Sequence, residues 1–254
     1  MTTSFAPGHV WITGASTGMG RELAIRFAIN GSRVTVSARS EDKLAELASL
    51  NQNIVPVPLD VSDRNSVQAA YRDAVSANGP VDCAIFNAAI WHRSRGTEFD
   101  HEPFLRSMEI NYFGVAWGLE AVMADMAARG EGQIAIVSSV AGYCGLPGSA
   151  YYGPTKSALI TLAETYRPEL QRHGVKLQVV NPGFVKTPLT AGNSFPMPFL
   201  MELDDAVDRL MSGLQSSRFE ITFPRRMAIL MKLVAMLPYP LYFWLMAQMS
   251  RRRS

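Results

Sequence analysis

Residues 10–20 have the sequence VWITGASTGMG, in which an apolar run leads into a turn with three glycines. The run Val10–Ile12 is typical of a buried strand, and residues 21–28 after the glycines have the apolar pattern of a helix. Glycine lets the backbone turn sharply between two such elements. The segment therefore predicts a strand, a glycine-rich turn and a helix in that order.

A turn in this context favours phosphate binding, because a helix N-terminus offers N–H groups and the positive end of its dipole to an anion. An ordinary loop is the alternative, and a hydrolase nucleophile within Gly14-x-Ser16-x-Gly18 is a second one. The hydrolase requires earlier strands and an oxyanion loop, whereas only residues 1–13 precede this turn. We expect a dinucleotide to contact Gly14, Ser16, Thr17, Gly18, Met19 and Gly20.

Three polar residues near the middle of the chain, Ser139, Tyr152 and Lys156, form a second motif. An offset of four places Tyr152 and Lys156 on one helix face, with Pro154 in the first turn of that helix. The ordinary pKa of tyrosine is about 10, and a nearby ammonium lowers it toward the range useful for general acid–base catalysis. The spacing alone also occurs on solvated faces, so its weight comes from the glycine turn upstream.

Together the two motifs resemble the short-chain dehydrogenase/reductase family over residues 8–224. The resemblance implies that Tyr152 is the general acid and base and that Ser139, thirteen residues before it, hydrogen-bonds the reacting oxygen. It implies that Lys156 binds the nicotinamide ribose and that Asn111 holds a proton-relay water. These four residues are the expected catalytic set.

The resemblance also implies cofactor contacts in segments that follow predicted strands. Residues 87–89 are similar to the family's Asn-Ala-Gly, with Ala89 in place of the glycine, and residues 181–187 match the turn at the nicotinamide end. Asp60 also fits the neighbourhood of a helix N-cap, which needs no ligand. The implied cofactor residues are Asp60, Val61, Asn87, Ala88, Ala89, Pro182, Gly183, Val185 and Thr187, with Tyr152 and Lys156.

The end of the second predicted strand bears on which nicotinamide is bound. Dinucleotide folds that bind NAD place an acid there, whereas this chain has Arg39 and no acid before Glu41. A guanidinium pairs well with a phosphate, so the sequence predicts NADP(H) in preference to NAD(H). A solvated arginine at the start of a helix is the alternative for Arg39.

Short apolar runs alternate with helical patterns along the chain, which predicts βαβ units and a parallel sheet. We expect one doubly wound, Rossmann-type α/β domain over residues 1–224. The predicted strands are His9–Thr13, Arg33–Ala38, Ile54–Pro58, Val81–Phe86, Gln133–Ser138, Lys176–Val180 and Phe219–Phe223. The predicted helices are 18–30, 41–50, 63–78, 101–128, 152–173 and 203–215.

Composition limits the function classes. The 254 residues are 48% hydrophobic and 18% charged, which suits one large domain and excludes wholesale disorder. A net charge of +2 without a basic recognition helix predicts no nucleic-acid partner. The four histidines have no ligand spacing, so no metal site is expected. Two unpaired cysteines, Cys83 and Cys144, and no secretory signal predict the cytoplasm.

Residues 188–201 contain three prolines and a glycine but keep large apolar side chains, which predicts a substrate lid. Its inner surface would come from Phe195, Met197, Phe199 and Met201, although the same side chains would also suit pinning the loop to the core. The mouth of the site would be lined by Trp91, Tyr143 and Tyr151. A small hydrophobic carbonyl or alcohol substrate is expected.

Residues 225–254 form an unusual extension, since 227–249 are almost wholly apolar and arginines flank them. Pro238 and Pro240 predict two short helices in place of one membrane span. A lipid surface, a partner subunit, the chain's own domain and the substrate cleft, which the segment would cover, are all open as its contact. The resemblance implies a homodimer or homotetramer. The alternative to an oxidoreductase is a catalytically silent nucleotide-binding regulator or membrane-docked scaffold of the same fold.

Overall fold

Seven parallel strands form one sheet in the order β3-β2-β1-β4-β5-β6-β7 in a computed structural model that describes residues 6–94, 97–193 and 195–251. The predicted single α/β domain with a doubly wound parallel sheet is confirmed. The strands are β1 His9–Thr13, β2 Arg33–Ser37, β3 Ile54–Pro56, β4 Cys83–Phe86, β5 Gly132–Val137, β6 Val175–Pro182 and β7 Glu220–Phe223.

Helices cover both faces of this sheet. They are α1 Gly18–Ile29, α2 Glu41–Ser49, α3 Arg64–Asn78, α4 His101–Met108, α5 Gly114–Arg129, α6 Gly153–Arg172, α7 Pro188–Ala191, α8 Leu203–Gln215, α9 Arg225–Ala235 and α10 Tyr239–Arg251. The helix predicted over 101–128 is divided by a π-helical turn, Glu109–Phe113. None of the helices in the described part of the chain has both the length and the apolar character needed to cross a membrane.

The alternation of side chains along β1 shows how the core is built. Val10 and Ile12 belong to the apolar cluster that α1 covers, whereas Trp11 belongs to the cluster on the opposite face. There the Trp11 ring meets Phe86 edge-on, with ring centroids 6.0 Å apart. Burying a side chain of this size stabilises the fold by about 1.5–3 kcal/mol.

The strand order reverses beside β1, because β2 lies on one side of it and β4 on the other. Ligands of doubly wound sheets bind in the crevice at the carboxyl ends of the strands at such a reversal. The glycine turn follows β1, and the predicted segments 87–89, 138–139 and 181–187 follow or end β4, β5 and β6. The fold therefore brings these parts of the sequence to one edge.

Candidate active site

The glycine turn is held in a shape that side chains would obstruct. Gly14 and Gly18 have φ values of 68° and 57°, where L-residues are strained. A Cβ on Gly14 would lie 2.6 Å from the Ala88 Cα. The Asn87 side chain donates hydrogen bonds to the carbonyls of Gly14 and Thr13, at 3.0 and 3.3 Å. Asn87 thus ties the turn after β1 to the segment after β4.

Gly20 differs from the other predicted cofactor residues because it lies outside the lining of the cleft, as the described residues define it. It is buried in the first turn of α1, where a Cβ would come within 2.5 Å of the Gly14 carbonyl oxygen. The contact of Gly20 with the cofactor stays a prediction, whereas its packing against the turn is seen directly. Its missing side chain lets the helix pack closely on the turn.

The N-terminus of α1 opens toward the cleft. Its N-cap residue, Thr17, makes no side-chain hydrogen bond to the first turn, and first-turn N–H groups have no intrahelical acceptor. The cleft is lined there by Ser16, Thr17, Gly18 and Met19. Hydroxyls, N–H groups and a positive dipole end together suit a phosphate group.

Ser139, Tyr152 and Lys156 converge on the same cleft. Ser139 follows β5, and its Oγ donates to the Pro182 carbonyl at 3.3 Å and accepts from the Ala141 N–H at 3.1 Å. The Lys156 Nζ donates to the Val137 carbonyl at 2.9 Å and lies 5.5 Å from the centroid of the Tyr152 ring. The trio therefore joins the end of β5 to the first turn of α6.

Burial dominates the protonation of this pair. It raises the pKa of Tyr152 to about 12, against the opposing effect of the neighbouring Ser139 hydroxyl. It also lowers the pKa of Lys156 to about 7. The sequence predicts that the ammonium of Lys156 lowers the pKa of Tyr152, whereas burial is the largest influence on that pKa and raises it. The reason is that removal from water penalises the phenolate and the ammonium alike.

Asn111 lies in the π-helical turn, fully buried behind the cleft lining. Its Oδ1 accepts from the Ile90 N–H at 2.8 Å, and its Nδ2 donates to the Ile90 carbonyl at 3.0 Å. The Nδ2 also donates to the Thr155 hydroxyl at 3.2 Å. The amide therefore connects the segment after β4 with the residue next to Lys156.

The cleft encloses a cavity of about 340 Å³. Besides the trio, it is lined by most of the predicted cofactor residues, namely Gly14, Ser16, Thr17, Gly18, Met19, Arg39, Asp60, Val61, Asn87, Ala88, Ala89, Pro182, Gly183, Val185 and Thr187. Arg39 is exposed at one end of it. Burial alone would raise the pKa of Asp60, but hydrogen bonds from Ser62 and the charges of Arg106 and Arg39 keep it below its ordinary value.

The other end of the cavity is apolar. The Phe195 ring contacts Trp91 and Phe184, with centroids 5.8 and 6.0 Å apart, and Leu146 and Met227 line the same region. Sequence reasoning missed Phe184, Leu146 and Met227. Met227 belongs to α9, beyond the region that the motifs cover, and no spacing signal points to it.

Several residues expected near the substrate lie elsewhere. Tyr151 is 4% exposed, and its hydroxyl accepts from the Asp100 N–H at 2.9 Å. Tyr143 donates to the Glu220 carboxylate behind the cleft wall. Met201 is buried in the core beside α8, and Phe199 is exposed. Of the four apolar side chains expected on the lid, Phe195 lines the cavity and Met201 pins the loop.

A model of the short chain dehydrogenase family matches residues 8–195. An uncharacterized oxidoreductase of Myxococcus xanthus is 36% identical over 91% of this chain and 93% of its own length. Oxidoreductase BOA17 of Botryotinia fuckeliana is 31% identical, with 86% and 81% covered.

Solved structures agree with the sequence comparison. An alcohol dehydrogenase from Thermococcus sibiricus, complexed with 5-hydroxy-NADP, has a TM-score of 0.77 at 25% identity and covers 85% of this chain and 95% of its own. A 3-ketoacyl-(acyl-carrier-protein) reductase from Brucella melitensis, complexed with NADH, has a TM-score of 0.77 at 26% identity, with 87% and 98% covered. The family match spans well over half of the chain, and the fold and the glycine turn agree with it. The protein belongs to the short chain dehydrogenase family and is an oxidoreductase.

Proposed function

We propose that the protein is an NADP(H)-dependent oxidoreductase that interconverts a carbonyl and an alcohol on a small hydrophobic substrate. The observation that carries this proposal is the shared cavity: Ser139, Tyr152 and Lys156 line one wall, and the glycine turn lines another. A single cleft thus offers a phosphate site and a proton donor. A nicotinamide cofactor, when bound, supplies or accepts the hydride.

The protein's own part in the reaction is proton transfer and positioning. In the reductive direction, the Tyr152 hydroxyl gives its proton to the substrate oxygen. The Ser139 hydroxyl turns its single O–H from the Pro182 carbonyl to donate a hydrogen bond to that oxygen. In the oxidative direction the same groups act in reverse, and Tyr152 takes the proton. The Lys156 Nζ uses one N–H on Val137, which leaves the others for a ribose hydroxyl and for solvent.

Asn111 acts from behind this wall. Its Oδ1 accepts one hydrogen bond, from Ile90, and retains the capacity to accept a second one from a water molecule. We assign to Asn111 the holding of the water that reconnects Lys156 to solvent. Its bond to Thr155 also fixes the first turn of α6, which carries Tyr152 and Lys156.

The charge of Lys156 depends on what enters the cleft. The phosphates of a dinucleotide bring negative charge, which favours the ammonium form of Lys156 and raises its pKa from about 7. An ammonium beside the Tyr152 ring then lowers the pKa of Tyr152 from about 12. The proton donor therefore becomes effective when the cofactor site is filled.

Arg39 supports NADP(H) over NAD(H). It is exposed at the end of the cavity that follows β2, where folds that bind NAD place an acid. Solved relatives hold NADP in one case and NADH in another, so the preference is argued from Arg39 itself.

Cys83 and Cys144 are unpaired, which suits the reducing cytoplasm that we propose as the location of the protein.

The decisive experiment compares Tyr152→Phe with Tyr151→Phe, a neighbouring tyrosine outside the cavity lining. Turnover of a panel of apolar ketones and aldehydes is followed by nicotinamide absorbance, with NADPH and with NADH. Loss of general acid catalysis costs roughly 100-fold or more in kcat, so Tyr152→Phe should lose turnover but keep its NADPH affinity within about threefold. Tyr151→Phe should remain active.

Full activity of Tyr152→Phe would contradict the assignment of the proton donor. NADPH binding by the unaltered protein without turnover of any carbonyl on the panel would favour the silent regulator. Higher kcat/KM with NADPH than with NADH is the expected cofactor result, and equal values would remove Arg39 as the reason for a preference.

A further inference from the structure

Helices α9 and α10 leave a large set of apolar side chains exposed. Leu233 is 57% exposed, Met236 79% and Trp244 60%. We call this set the C-terminal apolar face, and its members are Ile229, Leu230, Leu233, Met236, Tyr239, Leu241, Phe243 and Trp244. A group of large exposed apolar side chains in one segment of a chain favours a site of interaction there.

The chain's own domain does not account for this face, because both helices already have an inner side. On α9, Met227, Ala228 and Met231 are buried against Val140. On α10, Met246 is 7% exposed and the Tyr242 hydroxyl donates to the Gly145 carbonyl. The exposed residues lie on the outer sides of helices that are already attached to the domain.

The charged residues within the segment that carries the face have one sign. The sequence from 221 to 254 contains no acidic residue. Arg225 and Arg226 are exposed, and offsets of four and seven residues place them on the same side of α9 as Ile229 and Leu233. Arg251 is the last residue of α10, and Arg252 and Arg253 follow it in the sequence. The side chain of Arg251 and the two later residues lie outside the described part of the chain.

We infer that the C-terminal apolar face docks on an anionic lipid surface. Apolar residues with tyrosine and tryptophan suit the acyl boundary, and exposed arginines on the same side suit acidic headgroups. A helix that binds a membrane through one apolar side lies in the plane of the interface. A second copy of the chain fits less well, since the segment offers no acidic group to the other copy's arginines.

Docking would bring the membrane close to the active-site cavity. Met227, on the inner side of α9, lines the apolar end of that cavity, and Leu233 lies on the outer side. The lipid surface and the cavity are then separated by about one helix diameter, roughly 10 Å. This part of the inference rests on the proposed function, whereas docking itself does not.

Lipid binding is tested with the full-length protein and vesicles of phosphatidylcholine, either pure or with phosphatidylserine added. The test variant, called the double variant, is Leu233→Glu combined with Trp244→Glu. The matched control is Ile29→Glu combined with Leu50→Glu, which adds the same charge at residues that are 71% and 55% exposed next to the ends of α1 and α2. Circular dichroism and NADPH binding report that each variant is folded.

The protein and the control should sediment with the anionic vesicles, weakly with the neutral ones, and less as salt is raised. The double variant should show a partition coefficient lower by roughly tenfold or more. Failure of the unaltered protein to bind anionic vesicles, or equal binding by the double variant, would overturn the inference. If the unaltered protein does not bind vesicles, and the double variant has a lower oligomeric mass in solution than the unaltered protein, the face is an interface with a second copy of the chain.

Turnover of a water-soluble carbonyl separates this inference from the proposed function. The double variant should keep that turnover, because its altered residues lie outside the cavity lining. An inactive protein that still binds anionic vesicles would leave docking established and refute only the proposed chemistry.

Discussion

Lys156 is 1% exposed and directs one N–H at the Val137 carbonyl. The spacing of Tyr152 and Lys156 predicts their proximity, and the cation–ring distance of 5.5 Å agrees with it. Spacing carries no information about burial, and burial decides which protonation states prevail. Residue-level sequence reasoning therefore predicted the proximity of Tyr152 and Lys156, but it did not predict that burial raises the pKa of Tyr152.

The depressed pKa of Lys156 makes stability depend on pH. Between pH 7 and about 10.5 the unfolded lysine carries a proton that the folded one has lost, so the free energy of unfolding rises with pH in that window. Compared with Lys156→Met, the unaltered protein without cofactor should gain roughly 2 kcal/mol from pH 7 to pH 9. Urea denaturation at both pH values measures this difference.

The interval from pH 7 to pH 9 lies below the range in which Tyr152 titrates. Tyr152 has a pKa of about 12 when folded and about 10 when unfolded, so its contribution falls only above pH 10. A constant difference between the two proteins from pH 7 to 9 would show that Lys156 keeps its charge when buried.

At the scale of elements, the glycine turn and α1 depend on one close contact. The sequence predicts all three glycines as cofactor residues, and it did not predict that Gly20 also lets α1 pack closely on the turn. Hydrophobic periodicity located the seven strands to within about two residues at each end. It did not show the π-helical turn at Glu109–Phe113, where Asn111 bonds to Ile90, twenty-one residues earlier. Contacts between distant segments leave no periodic signal.

Gly20→Ala should destabilise the protein and weaken cofactor binding. A Cβ would lie 2.5 Å from the Gly14 carbonyl oxygen, and overpacking of this kind costs about 1–3 kcal/mol. The expected fall in Tm is on the order of 5 °C, with a higher Kd for NADPH because the turn must shift. Thermal unfolding and fluorescence titration measure the two effects.

Gly192→Ala is the matched control, since a Cβ there meets nothing within 4 Å and the φ of −86° suits alanine. Its Tm should change by less than about 1 °C. Equal Tm values for both variants would mean that α1 tolerates a side chain at its first turn.

At the scale of the whole molecule, a polar cluster ties α9 to the sheet. Glu220 of β7 accepts hydrogen bonds from Tyr143, Asn181 and Lys232. Burial alone would raise the pKa of Glu220, but these bonds keep it below its ordinary value. The parallel sheet was predictable from the βαβ pattern, whereas this attachment was not, because it joins residues whose types have many other uses. The boundary between the domain and the extension at residue 225 stays a prediction.

Lys232→Met should cost about 1 kcal/mol at pH 7, a figure reduced because the lysine side chain is 50% exposed. A carboxyl group whose pKa is lower in the folded protein stabilises the fold at pH values above its unfolded pKa. That stabilisation is lost as the pH falls through the folded pKa. The difference in unfolding free energy between Lys232→Met and the unaltered protein should therefore shrink below about pH 4.5.

The control is Lys186→Met, which breaks the exposed pair with Glu202 and should cost only a few tenths of a kcal/mol. Equal losses of unfolding free energy in denaturant melts would show that the polar cluster around Glu220 adds no more than an exposed ion pair.

The position of α9, with Met227 in the cavity wall and Lys232 on Glu220, has a practical consequence for anyone who shortens this chain. Cutting the chain after Arg226 would open the apolar end of the substrate site and remove Lys232 from the Glu220 carboxylate. That carboxylate accepts a hydrogen bond from Asn181, and the carbonyl of the next residue, Pro182, accepts one from Ser139. A clipped protein that turns over slowly would then be a damaged catalyst, whatever its affinity for lipid. Full-length point variants are the sound comparison.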